Sequence, residues 1–284
     1  MGLRIQNNVE AFNAHRQLSG TASKAAKAME KLSSGYRVNR AADDAAGLAI
    51  SEKMRAQIGG LAQAQRNAQD GISLVQTAEG ALTEVHSMLQ RVRDLKVQYA
   101  NGTNSSDDKD AIAAEVYQIA QEVGDIVSDT KFNGTAVFGA TSFSFQVGAN
   151  DTETVSTLSA DFSGAIGSAG TGGLSDLTGL SSAGAVKTAL DTGSLTAIST
   201  LDNAIKNVST ARANFGAVQN RLEHRLNNLA TYQENLTASE SRIRDVDMAA
   251  EMTKFTKLNI LQQAGTSMLA QANQAPQGVL SLLR

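Results

Sequence analysis

The residues with the most reactive side chains are scattered along the chain. His15, His86 and His224 fall in separate predicted helices, with no companion His, Asp or Glu at metal-ligand spacing. The chain has no Cys, no HExxH motif and no GxxxxGK[ST] phosphate loop. Asp43 and Asp44 form a carboxylate pair, but capping of the next helix explains them more simply than acid–base chemistry. The sequence therefore predicts no catalytic, cofactor-binding or metal-binding residue, and indicates a protein that is not an enzyme.

Composition and charge favour a helical protein without nucleic-acid or membrane partners. A single Pro, no Trp and abundant Ala favour long helices. The net charge is −3, and residues 1–42 hold seven Lys or Arg against two Glu. These basic residues lack interleaved aromatics, which favours a solvated or inter-subunit helix face over nucleic-acid binding. No window reaches the ~18–20 apolar residues of a membrane span. The N-terminus lacks the apolar core of a secretory signal, so we expect any export to proceed without a cleaved signal peptide.

A heptad repeat dominates the C-terminal part of the chain. Apolar residues recur every seven positions from Phe215 to Ile243, as at the a-position of a coiled coil. No proline interrupts the run, so we expect one continuous helix over 211–272, roughly 90 Å long at ~1.5 Å per residue. Such a rod needs a partner along its length, either from this chain, from other copies, or from both.

Amphipathic spacing predicts further helices upstream of this run. Gly35 is expected to end the first of them, because glycine adopts the left-handed conformation readily. Interior glycines such as Gly71 cost roughly 1 kcal/mol each relative to Ala, so packing has to hold the second. The predicted helices cover 5–32, about 44–99, a stretch that ends at 129 after a polar turn, and 195–208.

The middle of the chain changes from a helical to a two-residue period. An Asn-Gly turn signal lies at 133–134, and apolar residues alternate from 143 to 147. With a possible further strand at 152–158, this pattern predicts a small element of β-hairpins over about 132–158. Residues 159–197 are rich in Gly, Ser and Thr and carry few charges. We expect them to form a variable surface loop.

The predicted fold class is mainly α. Because both ends of the chain are helical and apolar on one face, the N- and C-terminal segments are expected to lie side by side. They would form long antiparallel helical rods, or a coiled coil, accompanied by the small β-hairpin element.

Specific motifs add a resemblance to these patterns. The sequence resembles bacterial flagellins over nearly the whole chain outside 159–197. The order and spacing of the motifs make chance similarity very improbable. They are KLSSG (31–35), DDAAG (43–47), QRVR (90–93), KFNG (131–134), GAVQNRLEH (216–224), ENLTASESRIRDVDMAAEM (234–252) and QAPQGVLSLLR (274–284).

This resemblance implies a domain organisation and a function. Residues 1–42 with 240–284 would form an inner coiled-coil domain, and 43–239 a helical shaft domain. Because 159–197 is short, we expect a minimal flagellin without large outer domains. The family implies a subunit that self-assembles into the helical flagellar filament for swimming motility. It is exported unfolded through the flagellar type III system and resides outside the cell. Implied partners are other copies of the chain, an export chaperone at the C-terminal segment, and the filament cap and hook-junction proteins.

The resemblance also implies two functional surfaces. A flagellin-sensing Toll-like receptor of a host, or a neighbouring subunit, would contact Gln90, Arg91, Leu95 and Glu115. Lys96 stands where the family usually has a small apolar residue, which bears on receptor affinity. The inner-tube packing residues are Ile5, Val9, Phe12, Leu18, Phe255, Leu258, Leu261, Met268, Leu269, Val279, Leu280, Leu282 and Leu283.

The terminal segments are expected to fold only on polymerisation. Paired with each other as one thin hairpin, 1–42 and roughly 240–284 would leave much apolar area in water. Isolated helices are marginal because their nucleation is costly. Neighbouring copies could cover the remaining faces, so assembly and folding would form one coupled event.

Three alternatives stay open at this point. A hook–filament junction protein of the same assembly shares the terminal helices, and electron microscopy would distinguish short oligomers from long filaments. An enzyme is conceivable because some flagellins carry a protease insertion, although 159–197 is short and HExxH is absent. A helical DNA-binding protein would require a steeply salt-dependent gel shift.

Overall fold

The computed structural model describes residues 8–138, 142–156, 182–192 and 198–282, with 192 and 275–282 described by their backbone alone. Helices dominate these ranges, and the predicted mainly α fold with a small β element is confirmed. The elements are α1 (Val9–Ser34), α2 (Ala45–Tyr99), α3 (Ser106–Asp129), β1 (Lys131–Phe132), β2 (Thr135–Ala136), β3 (Ser144–Gln146), β4 (Thr154–Ser156), α4 (Ala183–Thr192), α5 (Ile198–Arg244) and α6 (Met248–Leu282).

Short-range sequence signals set several helix ends. The Asn8 side chain caps α1 by accepting the Ala11 backbone N–H at 3.0 Å. Gly35 ends that helix with a φ of 75°, which confirms the predicted stop. Ser105 and Asp108 form a capping box at the start of α3, each side chain accepting a backbone N–H of the other residue.

The strands form two antiparallel pairs. β1 and β2 are joined through Asn133 and Gly134, whose φ angles of 48° and 79° confirm the predicted Asn-Gly turn. β3 and β4 pair with Phe145 opposite Val155. The β element is therefore small and local, as its sequence pattern indicates.

Two compact units divide the chain. Unit 1 is drawn from residues 1–58 and 234–284, and unit 2 from 59–233. The predicted domain boundaries, at 42/43 and 239/240, stay a prediction.

Unit 2 has one continuous core. It contains 27 clustered buried residues, supplied by α2, α3, α4, α5 and the β element. The predicted heptad residues Phe215 and Leu222 belong to it, at 5% and 0% exposure. Gly71 allows the closest approach in this core, since a Cβ there would lie 3.1 Å from the Phe145 ring and 3.2 Å from Leu222. Packing of a strand and of α5 against α2 explains why glycine is placed inside a long helix.

Unit 1 contains an antiparallel helix pair with a thin interior. Leu18 of α1 lies against Gly265 of α6, where a Cβ would approach its Cδ1 to 3.1 Å. Asn8 Nδ2 donates to the Ala272 carbonyl at 2.7 Å. Among the side chains that the structure describes, three form the buried cluster of this pair, with Phe255 packed against them. They are Ala25, Ala28 and Leu258.

The C-terminal helix is interrupted, and the prediction of one continuous rod is wrong. α5 ends at Arg244 and α6 begins at Met248. The Val246 N–H donates to the Gly35 carbonyl at 3.0 Å, so a distant segment takes the place of the intrahelical partner. Asp247 then caps α6, its Oδ1 accepting from the Ala249 and Ala250 amides at 3.0 and 3.1 Å. A tertiary contact therefore breaks a helix that local sequence would continue.

The expected loop over 159–197 is also wrong in part, because residues 183–192 form α4. Val186, Ala189 and Leu190 are buried at helical spacing and face the rest of unit 2. The Ala and Gly residues of this segment give it a composition that is typical of a loop. Residues 157–181 and 193–197 lie outside the described residues.

We expect Leu82→Ala to lower the free energy of unfolding of unit 2 by about 2–5 kcal/mol, because a fully buried side chain leaves a cavity. Leu82 is 0% exposed, whereas Leu261 in unit 1 is 47% exposed. The matched control, Leu261→Ala, should change the same transition by less than about 0.5 kcal/mol. Urea denaturation of the monomeric subunit, followed by far-UV circular dichroism, measures both. Equal effects would contradict the assignment of the core.

Candidate interaction surfaces

The predicted contact patch on unit 2 is only partly at the surface. Gln90 and Arg91 of α2 are exposed, as is Glu115 of α3. Arg91 Nη2 and Nε donate to Glu115 Oε1 at 2.6 and 2.9 Å, so this ion pair links the two helices. Both side chains are about half exposed. A pair in such a position contributes roughly 0–1 kcal/mol to stability, which leaves its charges available to a partner.

Leu95 does not belong to that surface. It is 1% exposed and lies in the core of unit 2. Its position explains this burial, since Val92 precedes it by three residues and Tyr99 follows by four, both of them buried on the same helical stripe. The placement of Leu95 among surface contacts is therefore wrong for the folded subunit.

Polar contacts hold α4 at the C-terminal end of α2. Lys96 Nζ donates to the Leu190 carbonyl at 2.8 Å, and the Tyr99 hydroxyl donates to Asp191 Oδ1 at 2.7 Å. Lys187 of α4 forms an ion pair with Asp110 of α3. Lys96 thus has a hydrogen-bond partner in the middle segment of this chain.

The surroundings shift the pKa values of two of these groups. Burial raises the pKa of the Tyr99 hydroxyl to about 12, and the hydrogen bond to Asp191 adds to the effect. Burial lowers the pKa of the Lys96 ammonium, and the negative charge of Asp191 opposes that shift.

In unit 1, the segment after α1 and the break between α5 and α6 lie side by side. The Arg37 N–H donates to the Arg244 carbonyl at 2.6 Å, and the Arg37 guanidinium donates to the Ile243 carbonyl at 2.7 Å. The Arg244 guanidinium lies 4.7 Å from the centre of the Tyr36 ring and 2.8 Å from Glu52. The hydrogen bond from Arg244 holds the pKa of the Glu52 carboxyl below its usual value.

Sequence reasoning missed this junction, because its members are far apart in the chain. The available signal is that the paired segments lie within 31–47 and 234–252, which contain motifs quoted above. The Asp pair also acts structurally: Asp44 Oδ1 accepts the Gly47 N–H at 2.8 Å, and Asp43 Oδ2 accepts the Arg40 N–H at 3.1 Å. The predicted capping role is confirmed for Asp44.

The predicted inner-tube residues divide between two faces of the α1–α6 pair. Leu18, Phe255, Leu258 and Leu269 are buried or half-buried. Four others are exposed to water, as follows: Val9 57%, Phe12 68%, Leu261 47% and Met268 59%. Ile5 and Leu283 lie outside the described residues, and only the backbone is described for Val279, Leu280 and Leu282.

Among the residues that the structure describes, neither a metal site nor a membrane-spanning helix is present. No group of three or more His, Asp or Glu side chains among them is placed to hold a metal ion. Within the same residues, no helix is long and apolar enough to cross a membrane.

Comparison with known proteins decides the family. The model of the bacterial flagellin N-terminal helical region matches residues 5–142, and that of the C-terminal helical region matches 198–283. A flagellin of Halalkalibacterium halodurans is 52% identical over 283 residues, which cover 99% of each chain. The chain belongs to the bacterial flagellin family. Two further relatives are a Bacillus subtilis flagellin, 50% identical over 304 residues (99% of this chain, 100% of the relative), and a flagellar filament 33 kDa core protein of Treponema phagedenis, 47% identical over 293 residues (99% of each).

Family membership identifies the function of the chain. The chain is a structural subunit that self-assembles into the flagellar filament, an extracellular appendage used for motility. The Halalkalibacterium halodurans relative is matched over 99% of its length, and the chain is a flagellin of minimal type. A junction or DNA-binding protein is not supported by these relatives.

The Tyr99–Asp191 contact makes a pH-dependent prediction. The pKa of Tyr99 is about 12 in the folded chain against an ordinary value of 10.0. Between these values the unfolded chain loses the proton while the folded chain keeps it, so the contribution of Tyr99 to stability is full below pH 10 and declines as the pH rises towards about 12. Tyr99→Phe should reduce this decline, measured as the free energy of unfolding of unit 2 below pH 10 and at about pH 11.5.

Tyr232→Phe is the matched control, because Tyr232 is 47% exposed. It should leave the alkaline decline as in the unsubstituted chain. The same alkaline decline in Tyr99→Phe and in the unsubstituted chain would show that Tyr99 does not retain its proton through folding.

Proposed function

We propose that the exposed apolar faces of α1 and α6 pack against the same helices of other copies to form the inner part of the filament. The observation that supports this proposal is the distribution of exposed large hydrophobic side chains. Ten of the thirteen among the described residues lie in unit 1, although unit 2 is the larger unit. Such a concentration of exposed apolar area is typical of an interaction surface.

Energetics favour assembly as the way to cover these faces. Full burial of one large apolar side chain is worth roughly 1.5–3 kcal/mol. The clustered buried residues of the helix pair are two alanines and one leucine, so the pair by itself gains little from burial. The terminal helices therefore gain most of their stability from neighbouring copies, and we infer that their folding is coupled to polymerisation.

Ile260 offers a direct test of this packing. It is 60% exposed on α6, so Ile260→Ser should leave the subunit folded while raising the critical concentration for filament formation about tenfold or more. Sedimentation and electron microscopy measure the filaments, and circular dichroism checks the subunit. Ile198→Ser is the control, since Ile198 is 38% exposed at the start of α5 in unit 2. Equal critical concentrations for the two variants would contradict the proposed interface.

The exposed apolar face of α6 can also bind the partners expected before and during assembly. We propose that an export chaperone covers the apolar face of α6, that the chain passes unfolded through the type III channel, and that the cap and hook-junction proteins contact the ends of the filament. Met252, Ile260 and Leu261 supply an exposed apolar surface for such a chaperone. Co-elution of chain and chaperone should be weakened by Ile260→Ser; unchanged co-elution would exclude this face as the binding site.

As a second contact we propose a Toll-like receptor patch of Gln90, Arg91 and Glu115, which are all exposed. Arg91→Ala should weaken receptor binding about tenfold, because exposed arginines are frequent hot spots. Arg93→Ala is the matched control: Arg93 is a half-exposed arginine of the same helix, paired with Asp202 at 2.7 Å. Leu95→Ala is unsuitable, since loss of a buried side chain would act through stability.

Binding of the monomeric subunit to the receptor ectodomain measures both arginine variants. Equal affinities for Arg91→Ala and Arg93→Ala would remove the patch as the receptor site.

A further inference from the structure

The exposed methionines among the described residues are concentrated on unit 1. The chain has seven Met and no Cys, so thioethers are its only sulfur groups. Met54 and Met88 are only partly exposed. The methionines that are about half exposed are Met29 at 50%, Met248 at 48%, Met252 at 49% and Met268 at 59%, one on α1 and three on α6.

Two of these methionines are neighbours at the start of α6. Met248 and Met252 are four residues apart and therefore lie on the same side of the helix. Met252 also lines an open surface groove with Thr253, Thr256, Lys257, Ile260 and Leu261. The thioethers thus belong to the apolar face assigned above to contacts between copies.

We propose that Met29, Met248, Met252 and Met268 are an oxidation site through which hydrogen peroxide blocks filament assembly reversibly. This inference rests on the proposed packing of α1 and α6 against other copies. It adds a modification and its chemical consequence to that surface.

The reaction is an oxygen-atom transfer. The thioether sulfur attacks one oxygen of the peroxide, the O–O bond breaks, an S=O bond forms, and the other oxygen leaves as water. Sulfur is oxidised by two electrons and the peroxide is reduced by two. A methionine sulfoxide reductase reverses the change, using two thiols, which become a disulfide while the oxygen leaves as water.

The effect differs between subunit and filament because the sulfoxide is polar. In the free subunit about half of each side chain is in water, so the new oxygen remains hydrated and the fold is undisturbed. Between packed copies the same oxygen would lose its water without gaining a donor, which disfavours the assembled state. Oxidation therefore acts on assembly and on the folding of α1 and α6 that is coupled to it, and leaves unit 2 unchanged.

The test compares the unsubstituted chain with two variants after the same peroxide treatment. One variant replaces Met29, Met248, Met252 and Met268 by Leu, a change that nearly conserves side-chain volume. The control variant carries Met54→Leu and Met88→Leu and keeps the four exposed sulfurs. Peptide mass spectrometry gives the extent of oxidation at each site. Sedimentation gives the critical concentration, and circular dichroism checks the subunit.

We expect peroxide to raise the critical concentration of the unsubstituted chain and of the control variant about tenfold or more. It should have little effect on the fourfold Leu variant. Reductase with dithiol should restore assembly. Normal assembly of chain fully oxidised at the four sites, or equal sensitivity of the fourfold variant, would overturn the inference. Failure of untreated chain to form filaments would instead contradict the assembly proposal itself.

Discussion

A pair of helices can cover only one face of each partner, and this constraint governs unit 1. Ala25 and Ala28 of α1 and Gly265 of α6 are small, so the two backbones approach closely. The stripe between them is consequently narrow. Large side chains such as Phe12 and Ile260 remain in water on the other faces. The proposed packing against further copies of the chain would bury them and would make the ends of this subunit dependent on the filament.

Unit 2 buries large apolar side chains in a core of its own. Its helices and hairpins enclose one core of 27 clustered residues, and Gly71 lets β3 and α5 pack closely on α2. α4 completes this unit through buried Val186 and the polar contacts of Lys96 and Tyr99. We therefore propose a subunit that combines a part stable by itself with a part stabilised by assembly.

Local sequence signals predict most of the fold and little of the tertiary detail. The heptad containing Phe215 and Leu222 and the Asn-Gly turn are local patterns, and both are confirmed. The break at 245–247 depends on a hydrogen bond to Gly35, which is more than 200 residues away. The sequence around the break therefore does not predict it. The family resemblance places Leu95 among contact residues, whereas its helical spacing to buried neighbours indicates the core, where the structure has it.

Amide hydrogen exchange, compared between subunit and filament, tests the coupling of folding to assembly most directly. In the free subunit, amides of residues 9–34 and 248–274 should exchange orders of magnitude faster than those around Leu82 and Leu222 in the core of unit 2. In filaments, the same terminal amides should become as protected as that core. Terminal amides already protected in the free subunit to the level of unit 2 would contradict the account.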